Sequence, residues 1–343
     1  MPLISVIIPT HNRADMLAQA LASVQAQTFT DFEILVISNG ETPKNADVSK
    51  RVSWRAGAQW LYMSEGNRSL ARNLAIKTAK GEWIAFLDDD DLWNPRKLAL
   101  QMAAIRKTGV DCLFTDFILH DVETEVDRVH HIKPVNDAVC KGLTVPERFM
   151  VWRAGTGGCS TVLVKREVLL ALGGFDTKMT LCEDWDMWRR IAQKYKVGYI
   201  EDVLSILRTH SVNGENHAVR RPWFCTYWEV YHIAKAIRTC PPELRHMIPA
   251  MLQYIFKRAV IWHTLFVLAG FRIGNLTPFN KIFEWGRPIY RGIVGNEGNA
   301  LRRWLRPRRR INALFRREIF APHKPLVNGY VLAAAVVAFF LIV

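Results

Sequence analysis

The chain lacks the spacing signals of several common function classes. Its six cysteines, at 112, 140, 159, 182, 225 and 240, form no C-x-x-C pair and no zinc-spaced set. Reduced thiols in a cytosolic compartment are the expectation. The glycines of GTGGCS (155–160) do not follow the G-x-G-x-x-G order between strand and helix, so a dinucleotide site is not expected there and the stretch reads as a loop. No glycine-rich basic loop occurs near the start, where a nucleotidyltransferase would want one. The opening MPLISVIIPTHNR has no charged segment leading a long apolar run, so a secretory leader is not expected. There is no internal repeat and no low-complexity tract. Acidic excess is missing too: 46 Lys/Arg face 32 Asp/Glu, a formal charge of +14 over 343 residues. That excess sits wholly in residues 221–343, which hold 19 Lys/Arg against 5 Asp/Glu.

Half of the residues are apolar, enough for a sizeable core. The last eighteen, LVNGYVLAAAVVAFFLIV, would span about 27 Å as a helix, near the thickness of a hydrocarbon layer. The arginine-rich RRWLRPRRRINALFRREIF (302–320) precedes them, as a cytoplasmic juxtamembrane flank would. A C-terminal anchor helix is expected, with a buried terminal helix as the alternative. MLQYIFKRAVIWHTLFVLAG (251–270) is interrupted by Lys257, Arg258 and His263, which suits a helix lying in the interface. The arginine cluster also admits nucleic acid. The adjoining apolar helix argues against that, and no nucleic-acid partner is expected. Three regions follow: 1–220, 221–325 as a basic, aromatic-rich helical membrane-interface region, and 326–343 as the anchor. The expected location is the cytoplasmic side of the inner membrane.

Within 1–220 the pattern alternates. LISVII (3–8), FEILVIS (32–38), WLYM (60–63) and WIAFLD (83–88) read as strands. Residues 15–27, 69–80 and 95–107 read as helices, with Gly81 a candidate C-cap and a turn region between 39 and 60. CLFTDFIL (112–119), STVLV and a final strand pair in 197–210 follow. A short helix ended by Gly173-Gly174 is expected after the strand within 160–175, and another helix in 183–195. This is an α/β pattern: a mostly parallel, Rossmann-like sheet covered by helices, with ligands at the C-terminal strand ends.

One of those ends carries Asp88, Asp89, Asp90 and Asp91. Four like charges beside a buried strand need a partner. In an extended stretch Asp88 and Asp90 face the same way and can share a Mg²⁺ or Mn²⁺ that binds a diphosphate. Glu183 and Asp184 open a helix, where acids also suit the dipole, and Asp186 reads as a first-turn helix acid. Trp185 and Trp188 suit either the core or a pocket. His130-His131 reads as surface, and Cys182 as a small buried hydrophobe.

The ordered set SVIIPTHNR, FEILVISNG, ARNLAI…AKGEWIAFLDDDDLW and LGGFD…CEDWDMWRR resembles the family 2 glycosyltransferases over roughly the first 210 residues. The resemblance implies the GT-A fold and a nucleotide-diphosphate-sugar donor. Pro9, Thr10, His11 and Asn12 then border the base and ribose, although the family often has an aromatic residue where His11 stands. Arg72 and Asn73 match the A-R-N element, whose arginine lies near base or phosphates. Asp88 and Asp90 match the D-x-D pair on ribose and metal, and Asp89 lies between them. Asp184 matches the general base, beside Glu183. Arg208 and His210 match a late R-x-H element, whose histidine approaches the metal or diphosphate. Trp185 is a candidate for the acceptor pocket, with GTGGCS near it.

The second strand departs from the family. It usually ends D-D-G-S, and here it ends Ser38-Asn39-Gly40-Glu41. Asn39 offers a base edge an amide donor and an acceptor but no charge, and UDP stays the first choice. The Q-x-x-R-W element of processive members is absent, which implies one sugar per binding event. The reading is an inverting, metal-dependent, non-processive hexosyltransferase using Mn²⁺ or Mg²⁺. It would move a sugar such as glucose from a UDP-sugar to a lipid-linked oligosaccharide in exopolysaccharide or O-antigen synthesis. The alternative is a catalytically weak sugar-nucleotide-binding scaffold at the membrane.

Overall fold

The computed structural model describes residues 1–132, 143–150, 156–210 and 222–253, with only the backbone of 222–227. The chain divides into two units: Met1–Asn216 with Tyr231–Ile248, and His217–Val230 with Pro249–Val343. The sheet and the candidate site lie in the first. Beyond residue 253 the expected interface region and anchor helix fall outside the described residues. Among those residues no helix is long and apolar enough to cross a membrane.

Among the described residues nine strands form one sheet: β1 (Ile4–Thr10), β2 (Phe32–Asn39), β3 (Gln59–Met63), β4 (Trp83–Phe86), β5 (Leu92–Trp93), β6 (Cys112–Asp121), β7 (Val126–His130), β8 (Leu163–Lys165) and β9 (Val197–Thr209). Their order is β3-β2-β1-β4-β8-β6-β9-β5, with β7 paired to β6. The first four run parallel, as the alternation with helices predicts. Beyond them the sheet is mixed: β8 is antiparallel to both neighbours, and β5 is antiparallel to β9. Val197–Thr209 is one strand along β6 with a register shift at Asp116, not the strand pair expected in 197–210.

The core follows from strand alternation. β1 is buried along its whole length. Its Val6 and Ile8 pack with Leu17, Leu21 and Val24 of helix α1 (Ala14–Gln25). Ile7 points the other way, to Ala71 and Ala75 of helix α3 (Arg68–Thr78). Residues 43–55, expected as part of a turn region, are instead helix α2 (Pro43–Arg55). Thr42 caps it and Pro43 opens it. It escapes the periodicity test because its buried residues are small: Ala46, Ser49 and Ser53. Helix α4 (Lys97–Thr108) ends on left-handed Gly109, as a C-cap glycine should. Gly81 is not a cap, since α3 stops at Thr78 with Ala79 as its C-cap. It is glycine because a Cβ there would lie 2.5 Å from the Ser5 backbone nitrogen.

Candidate active site

The C-terminal ends of β1, β2 and β4 and the far end of β9 converge on the acidic run. The run is not extended. Asp91 N donates to Asp88 O at 3.0 Å, closing a tight turn. The face-sharing argument for Asp88 and Asp90 is therefore corrected: each carboxylate has its own set of partners.

Asp88 accepts from Arg72 Nη2 at 2.8 Å. Burial opposes its ionisation, but the guanidinium outweighs burial and holds it below the usual range. Asp89 is fully buried and accepts from Thr10 Oγ1 at 2.7 Å, His11 N at 3.3 Å and Arg13 Nη2 at 2.5 Å. Burial dominates there and pushes Asp89 up to about 7, with Arg13 lowering it only in part. Asp90 Oδ2 meets Arg13 Nη1, with His210 Nε2 at 3.2 Å. Asp91 accepts from Ser160 Oγ at 2.5 Å and Arg208 N at 3.0 Å. Burial, then Asp90 and Asp88, push its carboxyl well up, so Asp91 is a structural acid.

Tertiary pairing explains the place of Arg208 and His210. β5 follows the acidic turn directly and pairs antiparallel with β9, Leu92 opposite Ile206. Extending that ladder backward sets Arg208 and His210 beside Asp91 and Asp90. Arg208 Nε also donates to Asp90 O, and its Nη1 to Gln19.

Arg72, 2 % exposed, joins the acidic turn to the helix Glu183–Ala192 through Glu183 Oε1 at 2.9 Å. Burial works against its charge, and Asp88 and Glu183 help hold the guanidinium protonated well above its ordinary value. Next to Glu183, Asp184 is half-buried and accepts from Trp185 N at 2.8 Å. Burial and then the Glu183 charge push it up to about 6, with Arg72 lowering it in part. That value suits a group that takes a proton near neutrality. Asp186 has a different role. It is fully buried between Arg189 Nη2 (2.9 Å), Arg190 Nε (2.8 Å) and Lys235 Nζ (3.0 Å). Burial raises it, and the three cations together hold it far below the usual range. Asp186→Ala is expected to cost about 3–5 kcal/mol in chemical denaturation, because buried Arg189 loses its carboxylate. A loss under about 1 kcal/mol would refute that role.

The remaining expected residues sort by contact. His11 Nδ1 bonds Asn39 O at 2.7 Å, and Asn12 N donates to Glu41 Oε1 at 2.8 Å. Asn12 sits at φ 57. Pro9 is buried in β1. Asn39 Oδ1 accepts from Asn67 N at 2.7 Å at the start of α3, which uses one of its two acceptor positions. Asn73 clamps Phe175, accepting from its N and donating to its O, both at 2.8 Å. Trp188 is core, against Phe86, Phe114 and Phe175, and Trp185 packs half-buried beside the same cluster. His130 is exposed, as expected, and stacks on Phe117.

Three residues of the site were missed. Arg13 stands inside THNR, and Glu41 inside SNGE, where it accepts from Ser49 Oγ (2.6 Å) as well as Asn12 N. Ser160 ends GTGGCS. Its Oγ accepts from Asp88 N at 3.0 Å, and its carbonyl from Trp93 Nε1 and Ser205 Oγ, both at 2.9 Å. The two glycines before Cys159 were its only signal.

Among the described residues no group of three or more His, Cys, Asp or Glu is placed to hold a metal ion. Asp90 Oδ2 and His210 Nε2, 3.2 Å apart, are a donor pair of the kind a hard cation uses when it takes its other ligands from phosphate and water.

The family model described as Glycosyl transferase family 2 matches residues 5–165. An uncharacterized glycosyltransferase of Rickettsia typhi is 26% identical over 220 residues, 64% of this chain and 68% of its own. A longer one from Rickettsia felis is 26% identical over 62% of this chain, which spans only 35% of that relative. Among solved structures, S. aureus TarS 1–349 in complex with UDP-GlcNAc gives a TM-score of 0.58 at 19% identity, covering 86% of this chain and 80% of that one. The mannosyltransferase PcManGT from Pyrobaculum calidifontis, in complex with GDP-Man and Mn2+, gives 0.53 at 18% over 94% and 88%. These likenesses establish a GT-A-like fold.

Proposed function

We propose, from the match of residues 5–165 to the glycosyl transferase family 2 model, that the chain transfers one sugar from a UDP-sugar to a hydroxyl of a lipid-linked oligosaccharide, with inversion. The observation that carries the reading is the Arg72 bridge. One buried guanidinium ties Asp88, on the donor side, to Glu183, whose neighbour Asp184 has a carboxyl raised to about 6. A leaving diphosphate and a proton acceptor are thereby held in fixed relation. Asp184 takes the proton of the acceptor hydroxyl, a poor nucleophile until then. A single displacement follows, which inverts the anomeric carbon. Asp90 and His210, with Asp88, would hold Mn²⁺ or Mg²⁺, whose contribution when bound is to neutralise charge on the departing diphosphate.

The donor class draws support from the bound ligands of the two solved neighbours, UDP-GlcNAc and GDP-Man with Mn2+. With Asn39 Oδ1 already engaged by Asn67 N, base choice rests on UDP as the first expectation, GDP being the comparison to run. A hexose such as glucose is the proposed sugar. The basic, apolar C-terminal sequence supports an acceptor held at the cytoplasmic face of the inner membrane.

The test is thermal unfolding of the detergent-solubilised chain against nucleoside diphosphates and their sugars, with and without Mn²⁺. Ligand at a hundred times its Kd is expected to stabilise by about 2.7 kcal/mol. The gain should require metal and vanish in Asp90→Ala. A well-folded sample that no nucleotide stabilises would favour the scaffold reading.

A further inference from the structure

The Asp90 carboxylate already has a cation on it, and that cation comes from the chain. Arg13 spans two acids, Nη2 on Asp89 Oδ1 at 2.5 Å and Nη1 on Asp90 Oδ2. A divalent ion drawn to Asp90 meets a carboxylate whose charge is largely neutralised and a guanidinium that repels it at close range. Something has to yield, and the neighbours differ in how free they are to do so. Arg72 is buried and fixed between Asp88 and Glu183. Arg208 holds the turn through its backbone N–H on Asp91 and its side chain on the Asp90 carbonyl and Gln19. Arg13 is different. Its side chain is 27% exposed, it stands at the N-cap of α1 with no capping bond from its side chain, and both its ion pairs are to the acidic turn.

We propose that Arg13 is a displaceable counter-cation on Asp90, which opposes metal binding until a diphosphate draws the guanidinium away. The inference rests on the metal–diphosphate reading of the site and adds an order to it: the nucleotide and the metal enter together, and metal alone binds weakly. Phosphate oxygens are strong acceptors for a guanidinium fork, so the arriving diphosphate offers Arg13 a replacement for Asp89 and Asp90.

The experiment measures Mn²⁺ binding to the full chain in detergent by loss of the free-ion electron paramagnetic resonance signal, with and without UDP or GDP. Wild type is compared with Arg13→Gln and Asp90→Ala. Arg13→Gln is expected to bind Mn²⁺ roughly tenfold more tightly than wild type without nucleotide, and nucleotide should tighten it further by a smaller factor than in wild type. Equal or weaker Mn²⁺ binding by Arg13→Gln, while Asp90→Ala still abolishes it, would overturn the role of Arg13 and leave the metal site standing. Failure of wild type to bind Mn²⁺ even with either nucleotide would overturn both. If Arg13→Gln does not fold, Arg13→Lys makes the same comparison. It keeps a charge but cannot bridge two carboxylates, and a rise of roughly threefold is expected.

Discussion

Asp184→Asn is expected to lower kcat about a thousandfold while donor binding and fold persist. The carboxamide keeps the oxygen that accepts from Trp185 N and loses only the ability to take a proton. In wild type the rate should rise with pH through about 6 and then level, since the base must be ionised and its carboxyl titrates there. The stability change has the opposite sign. Burial and the Glu183 charge raise the folded-state value above the unfolded one, so ionising Asp184 costs stability as pH rises from about 4 to 6. The asparagine removes that cost. Its melting temperature should exceed wild type by roughly 2–4 °C at pH 7.5, with the difference fading as pH falls towards 4. A variant that keeps a tenth of wild-type turnover would remove Asp184 from the role of base.

Arg72→Met should have a large effect on stability, of the same order as Asp186→Ala. Methionine fills much of the space but leaves Glu183 and Asp88 without their shared cation, and Glu183 is only 4% exposed. Breaking a buried pair from one side costs about 3–5 kcal/mol, a drop of roughly 10 °C in melting temperature. The sign of the pH dependence follows from Asp88. Arg72 holds that carboxyl below its usual range, so its contribution is present above the unfolded value and lost as pH falls through the folded one. The gap between variant and wild type should therefore narrow in acid. Arg72→Lys should fall between them, because an ammonium cannot reproduce a two-armed bridge. Denaturation within about 1 kcal/mol of wild type would mean that the bridge is not structural.

The sequence by itself determined the elements whose signals are local. Apolar runs gave the buried strands of the first half, and helical spacing gave α1, α3 and α4. The Asp88–Asp91 run and the Glu183-Asp184 helix start stand out in the sequence as candidates because their neighbours supply the context. Helix α2 was not legible, since its buried face is alanine and serine. Nor was the site's wiring. Arg13 lies 77 residues from Asp90, Arg72 111 from Glu183, and His210 120 from Asp90. That Asn39 pins the start of α3 depended on the approach of Asn67. Which of seven neighbouring carboxylates meet Arg13, Arg72 or the cations around Asp186 was decided by the tertiary fold, which brings β9 and α3 to the acidic turn. Side-chain ionisation follows burial and the nearest opposite charge, and both are properties of the assembled fold.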